Sequence, residues 1–193
     1  MLKQLFTKTL DALSDWTGCV ATRVPLRRAS GPDEVTLNLP GYAQLDSYGC
    51  GAVAGFMALK HFKPRASFTA FYARVSPHPE NGTATYRLIR ALRQSGLRVS
   101  ERHDLTFADL CTAMDAGRPV LVALHNPGAA DAHWVVVYGR GLKPKRVFLA
   151  THGIPLVTNM VLFRKFSRIW SPRGNGIICA KAKCPARNGQ RAA

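Results

Sequence analysis

Gln44 stands six positions before Cys50 in the stretch Gln44-Leu45-Asp46-Ser47-Tyr48-Gly49-Cys50-Gly51. A helical apolar pattern follows at once through Val53, Phe56, Met57, Leu59 and Phe62, and Lys63-Pro64 stops it. A helix N-terminus is where a thiolate is favoured, because the backbone N–H groups of the first turn lack partners and the helix dipole stabilises negative charge. Such settings lower a cysteine pKa from about 8.5 to roughly 3.5–7.5, further when an imidazolium is close. Gly49 and Gly51 leave the sulfur open to the approach of a carbonyl. Cys50 is the expected nucleophile, alkylated at about pH 6 and ahead of Cys111.

A thiol nucleophile needs a base, and His133 has the right setting. It begins the strand-like run His133-Trp134-Val135-Val136-Val137-Tyr138-Gly139, after a loop containing Gly128 and Asp131. From a strand start an imidazole can reach across a cleft to a helix-borne sulfur, accept its proton, and return one to a leaving amine. Gln44 can donate its amide N–H to the developing oxyanion beside the Cys50 backbone N–H. One such donor is worth about 2.7–4 kcal/mol in the transition state. His61, near the end of the helix that Cys50 opens, reads as structural.

Around these residues the chain has the length for one domain with an extra terminal segment. Its 193 residues are 47% hydrophobic and 20% charged, the balance of an ordinary globular protein. Lys and Arg number 27 against 11 acids, giving a formal charge of +16. The basic residues are scattered rather than interleaved with aromatics, which argues against nucleic acid as a primary partner. Five cysteines without framework spacing fit a reducing, cytoplasmic compartment. No apolar run is long enough to span a membrane, and the first twenty residues lack the apolar core of a secretory signal. Cys179 and Cys184 with His152 make a poor zinc set, since no second ligand pair follows at a standard distance. No phosphate loop and no Gly-x-Ser-x-Gly setting is present. Neither metal nor cofactor is expected.

Taken in order, Leu2, Leu5, Phe6, Leu10 and Leu13 predict an amphipathic helix over residues 2–13, followed by a basic linker. Val35 to Leu39 alternates as a short strand. After the Cys50 helix, a short helix is expected to begin within Ser67 to Phe71, with a break from Ser76 to Gly82, then another helix over 84–95 closed by Gly96. Leu97 to Ser100 reads as a strand, and Thr106-Phe107-Ala108-Asp109 as a capping box opening a helix that ends at Gly117. Residues 119–124, 133–139 and 146–150 are Val-rich runs suited to central strands covered on both faces. Leu162, Phe163, Phe166 and Trp170 are packing positions, 176–180 is a final strand, and the end of the chain is a basic tail. Helices first and strands later predict an α+β fold, with N-terminal helices packed on a C-terminal antiparallel sheet. The expected boundaries are 1–34 for the helix and linker, 35–181 for the domain, and 182–193 for the tail.

Gln44, Cys50-Gly51 and the helix after them resemble the N-terminal motif of papain-like cysteine peptidases. Gly117-Arg118-Pro119-Val120-Leu121-Val122 and the His133 strand are similar to the compact bacterial version, the bacteriocin-processing (double-glycine) peptidases and their stand-alone relatives. The resemblance covers roughly residues 40–180. It implies a papain-like fold and a thiol hydrolase that cleaves a peptide or isopeptide amide of a peptide or protein substrate. Cys50 would be nucleophile, His133 base and acid, and Gln44 an oxyanion donor. That family also orients its histidine with an Asp or Asn after the next strand, often in Asp-Pro. This chain departs there, reading Ala150-Thr151-His152-Gly153. Thr151 or His152 takes the position, with Asn159 another amide within reach. The same dyad serves acyl transfer or deamidation, and the missing acid leaves room for an inactive, peptide-binding member.

Overall fold

Ten successive residues of the helix that Cys50 opens, Cys50 to Leu59, are buried. This helix, α1 (Cys50–Phe62), is therefore enclosed on all sides rather than amphipathic, and five of those ten residues are Gly or Ala, so neighbours approach closely. The computed structural model describes residues 22–24, 26–44, 46–125, 132–150, 158–170 and 174–182. The expected helix over 2–13 and the tail beyond residue 182 lie outside them.

Three short strands precede α1: β1 (Thr22–Val24), β2 (Glu34–Thr36) and β3 (Gly41–Ala43). After it come α2 (Phe68–Val75), α3 (Thr85–Gln94), β4 (Leu97–Arg102) and α4 (Phe107–Asp115). The second half holds β5 (Val120–His125), β6 (Ala132–Gly141), β7 (Arg146–Ala150), β8 (Thr158–Leu162), α5 (Phe163–Ile169) and β9 (Gly176–Lys181). The main sheet runs β4-β9-β5-β6-β7-β8, with β2 also paired to β6, and every pairing is antiparallel. β1 and β3 form a separate two-stranded sheet. The α+β order expected from the sequence holds, with the early helices packed on the later sheet through α1 against β6 and β5.

Several boundaries move. The helix expected to begin within 67–71 is α2, which runs to Val75 because Phe71 and Val75 both reach the core, and it stops at Ser76 as expected. The strand foreseen at 35–39 is the shorter β2, and the linker contributes β1. β8 was not foreseen; it pairs with β7 along its length and leads directly into α5. The greater surprise is β9, which inserts between β4 and β5 instead of extending the sheet. The Val-rich strands are central as expected: the β6 residues Trp134 to Tyr138 are all buried. The capping box is also present in both directions. Asp109 N donates to Thr106 Oγ1 at 3.3 Å, and Thr106 N donates to Asp109 Oδ2 at 2.8 Å.

Tyr42, Phe56, Phe68 and Phe71 form an aromatic group around α1, while Phe163, Phe166 and Trp170 form another beneath α5. Buried rings of this size supply much of the apolar area removed from water. His61 closes α1 onto its surroundings, its ring nitrogens 3.2 Å from the carbonyl oxygens of Asn38 and Gly117, as befits a structural residue.

Candidate active site

Cys50 is the first residue of α1, with Gly49 at the N-cap. α1 approaches β6 closely because residue 51 has no side chain. A Cβ there would lie 2.6 Å from Thr83 Cβ and Cγ2 and 2.9 Å from Trp134 Cδ1. Trp134 Nε1 in turn donates to the Thr83 carbonyl at 3.3 Å, and Thr83 Oγ1 donates to the Tyr48 carbonyl at 3.4 Å. The turn before Cys50, the start of β6 and the segment entering α3 are thus locked together. Gly49 is required in the same way, since a Cβ there would sit 2.7–2.8 Å from the Asp46 carboxylate oxygens. Both glycines answer to packing, where the sequence suggested room for a substrate.

Cys50 and His133 line one cleft of about 490 Å³. Its walls come from the turn before α1, the segment 79–85, the ends of β5 and β6, and residues 175–177. Glu80 and Glu101 also line it, and among the described residues no lysine or arginine does. The described part of the cleft wall of this basic protein thus carries two acids and neither lysine nor arginine.

The sulfur is buried, with 7% of Cys50 exposed. Burial pushes its thiol up from the ordinary cysteine value. The backbone N–H groups of Trp134 and Gly51 pull the other way, and the Asp46 charge pushes it up further. Desolvation at the closed helix start therefore works against the low-pKa thiolate expected from the sequence. His133 is half-buried, and burial holds its imidazole below the usual histidine value. Cys111 is likewise pushed up, chiefly by burial, and the fully buried Cys179 is pushed up to about 12.

Gln44 does not line the cleft. It is buried, and its Nε2 donates to the Asp46 carbonyl at 2.6 Å and to Asp46 Oδ1 at 3.2 Å. Thr151, His152 and Cys184 lie outside the described residues. Asn159 pairs with Leu149 in the β7–β8 ladder, and β7 ends at Ala150 opposite Val136 of β6. Among the described residues no group of three His, Cys, Asp or Glu side chains is arranged to hold a metal ion. Sequence reasoning missed two contributors. Asp46 stands inside the motif as an Asp-Ser pair ahead of a helix, which is a turn signal. The Trp134 backbone N–H beside the sulfur left no sequence signal, because any residue carries one.

A buried helix bearing a cysteine, set against an antiparallel sheet bearing a histidine on a shared cleft, defines a papain-like α+β fold. The profile of the Peptidase_C39 like family matches residues 36–150, more than half of the chain, and the chain belongs to that family of cysteine peptidases. The fold is similar to a putative C39-like peptidase from Bacillus anthracis (17% identity, 78% of this chain and 99% of that one, TM-score 0.63). It is also similar to a double-glycine-motif protease from an AMS/PCAT transporter, solved in complex with a leader peptide (17%, 82% and 97%, TM-score 0.59). The peptidase domain of Streptococcus ComA, a bifunctional ABC transporter, matches at 17% identity over 76% of this chain and 98% of that one, TM-score 0.58. No curated protein matches the chain. No described helix is long and apolar enough to cross a membrane.

Proposed function

We propose that this chain is a cysteine peptidase that opens a peptide amide through an acyl-enzyme on Cys50. The observation that carries the reading is that Cys50 and His133 line one cleft, with the backbone N–H of His133's chain neighbour, Trp134, beside the sulfur. Burial holds the thiol up and the imidazole down, which favours the neutral form of each. The chemistry is then general-base catalysis rather than attack by a standing ion pair. The Cys50 proton passes to His133 as the S–C bond forms. The imidazolium returns it to the amine nitrogen as the C–N bond breaks, and a thioester remains. Water then attacks the thioester, giving a proton to His133 that returns to the departing sulfur. The Cys50 backbone N–H serves the oxyanion; Gln44, expected there from the sequence, keeps its amide hydrogens on Asp46. The role of orienting the His133 imidazole falls, by the sequence resemblance, to Thr151 or His152. The substrate is an extended peptide or protein segment, processed in the cytoplasm.

The test is cleavage of peptides bearing paired small residues, as the double-glycine motif of the transporter relative suggests, followed by mass spectrometry. Cys50→Ala and His133→Ala should each lower kcat by on the order of 10⁶-fold. With burial holding the His133 imidazole below the usual histidine value, kcat/KM should fall on the acid side at a lower pH than a free imidazole would give, as the base becomes protonated. Cleavage that persists in Cys50→Ala sinks the reading. Transfer of the acyl group to an added amine in preference to water would move it to acyltransferase.

A further inference from the structure

Asp46 lies four positions before Cys50, and the approach to the sulfur is tied together at its carboxylate. Oδ1 accepts from the Tyr48 backbone N–H at 2.9 Å, from the Gly49 backbone N–H, and from Gln44 Nε2 at 3.2 Å. Oδ2 accepts from the Tyr72 hydroxyl of α2 at 3.3 Å. Backbone donors immediately ahead of α1 thus end on a carboxylate where the helix itself offers no side-chain cap. Gly49 leaves the space that this carboxylate occupies.

The same residue decides how the Gln44 amide faces. Nε2 gives its hydrogens to two acceptors on Asp46, the carbonyl and Oδ1. Turned over, the amide would set its own oxygen against those two acceptors, so only one orientation is stable. The consequence is a buried Gln44 Oε1 with no partner among the described residues. An amide oxygen desolvated without compensation is costly, and it persists only because the donor end is held.

We propose that Asp46 is the positioning residue of this site, its carboxylate setting both the turn that delivers Cys50 and the orientation of the Gln44 amide. The inference rests on Cys50 being the nucleophile and deepens that reading. The titratable groups around the sulfur are Asp46 and Tyr48 from its own turn, His133 from β6, and Glu80, Glu101 and His125 from the other walls of the cleft. Only the first is altered in the test, so a change in the thiol reports on it.

The experiment is iodoacetamide alkylation of the full chain across pH. Rates at Cys50 and Cys111 are read separately by peptide mapping, in the natural protein, Asp46→Asn and Asp46→Ala. Asparagine keeps an acceptor for the Tyr48 and Gly49 N–H groups and removes the charge. Its midpoint for Cys50 should move to lower pH, making alkylation at neutral pH severalfold faster, with the high-pH plateau unchanged. Alanine removes charge and acceptor together, so its plateau should drop severalfold while Asp46→Asn retains it. Cys111 should behave identically in all three proteins. An unmoved midpoint in Asp46→Asn overturns the proposal, as does a plateau in Asp46→Ala equal to that of Asp46→Asn. A parallel shift at Cys111 also overturns it, since that reports general loosening. Should Asp46→Ala fail to fold, Asp46→Glu, which keeps the charge and displaces the acceptor, replaces it: its plateau should drop as predicted for alanine, and an unchanged plateau overturns the proposal. No turnover is needed, so failure of the peptidase reading, seen as absence of Cys50-dependent cleavage, is a separate result.

Discussion

A methyl group at position 51 would press on the side chains of Thr83 and Trp134, two residues tied together by the bond from Trp134 Nε1 to the Thr83 backbone carbonyl. Neither can retreat without breaking the lock between α1, β6 and the entry to α3. Gly51→Ala should cost about 1–3 kcal/mol through overpacking. The urea midpoint should fall with an unchanged m-value, and no loss of stability would show that the contact gives way freely. The change should also move the sulfur, because residue 51 follows it in the first turn of α1. At this scale the outcome at Cys50 is instructive. A cysteine opening a helix announces itself in sequence, but whether its thiol goes down or up depends on how much water the surrounding fold removes. Here the fold removes most of it.

Among the elements, α4 has the clearest beginning. The Thr106 hydroxyl and the Asp109 carboxylate cap it reciprocally, and the Thr106 hydroxyl is the main reason the Asp109 carboxyl lies below its usual value. Thr106→Ala should lower stability by about 1 kcal/mol, seen as a reduced Tm in calorimetry. The sign of the pH effect follows from the depressed folded-state pKa. Stability from this pair is complete above the unfolded carboxylate value, about 3.9, and is lost as pH falls through the lower folded value. The variant should therefore lose less stability than the natural chain in that acid window. An equal loss in both would dissociate Asp109 from the cap. α1 makes the contrasting case, since its start is held by Asp46 acting on the turn before it rather than by a side-chain cap of its own.

For the molecule as a whole, charge and cleft are separate. The formal charge is +16, while the cleft wall carries Glu80 and Glu101 and no described lysine or arginine. Polyanion binding should then be a property of the outer surface, weakening by roughly 10³-fold between about 50 and 200 mM salt if some six phosphates are contacted. Peptide turnover should change little over the same range. The comparison is made by titrating a labelled oligonucleotide and assaying cleavage in the same buffers. Turnover that collapses in step with polyanion binding would place the basic surface in substrate capture instead.

Much of this protein was legible in local pattern. Cys50 before a buried helix, His133 opening a Val-rich strand, the Thr106–Asp109 box and the central β5, β6 and β7 each rest on residues near one another in sequence, where periodicity and capping chemistry act. The α+β order followed from them. Tertiary structure alone decided that β9 enters between β4 and β5, because strand partners are chosen by long-range burial that no local pattern records. It also decided that burial pushes the Cys50 thiol up and the His133 imidazole down, since that desolvation comes from segments far apart in the chain.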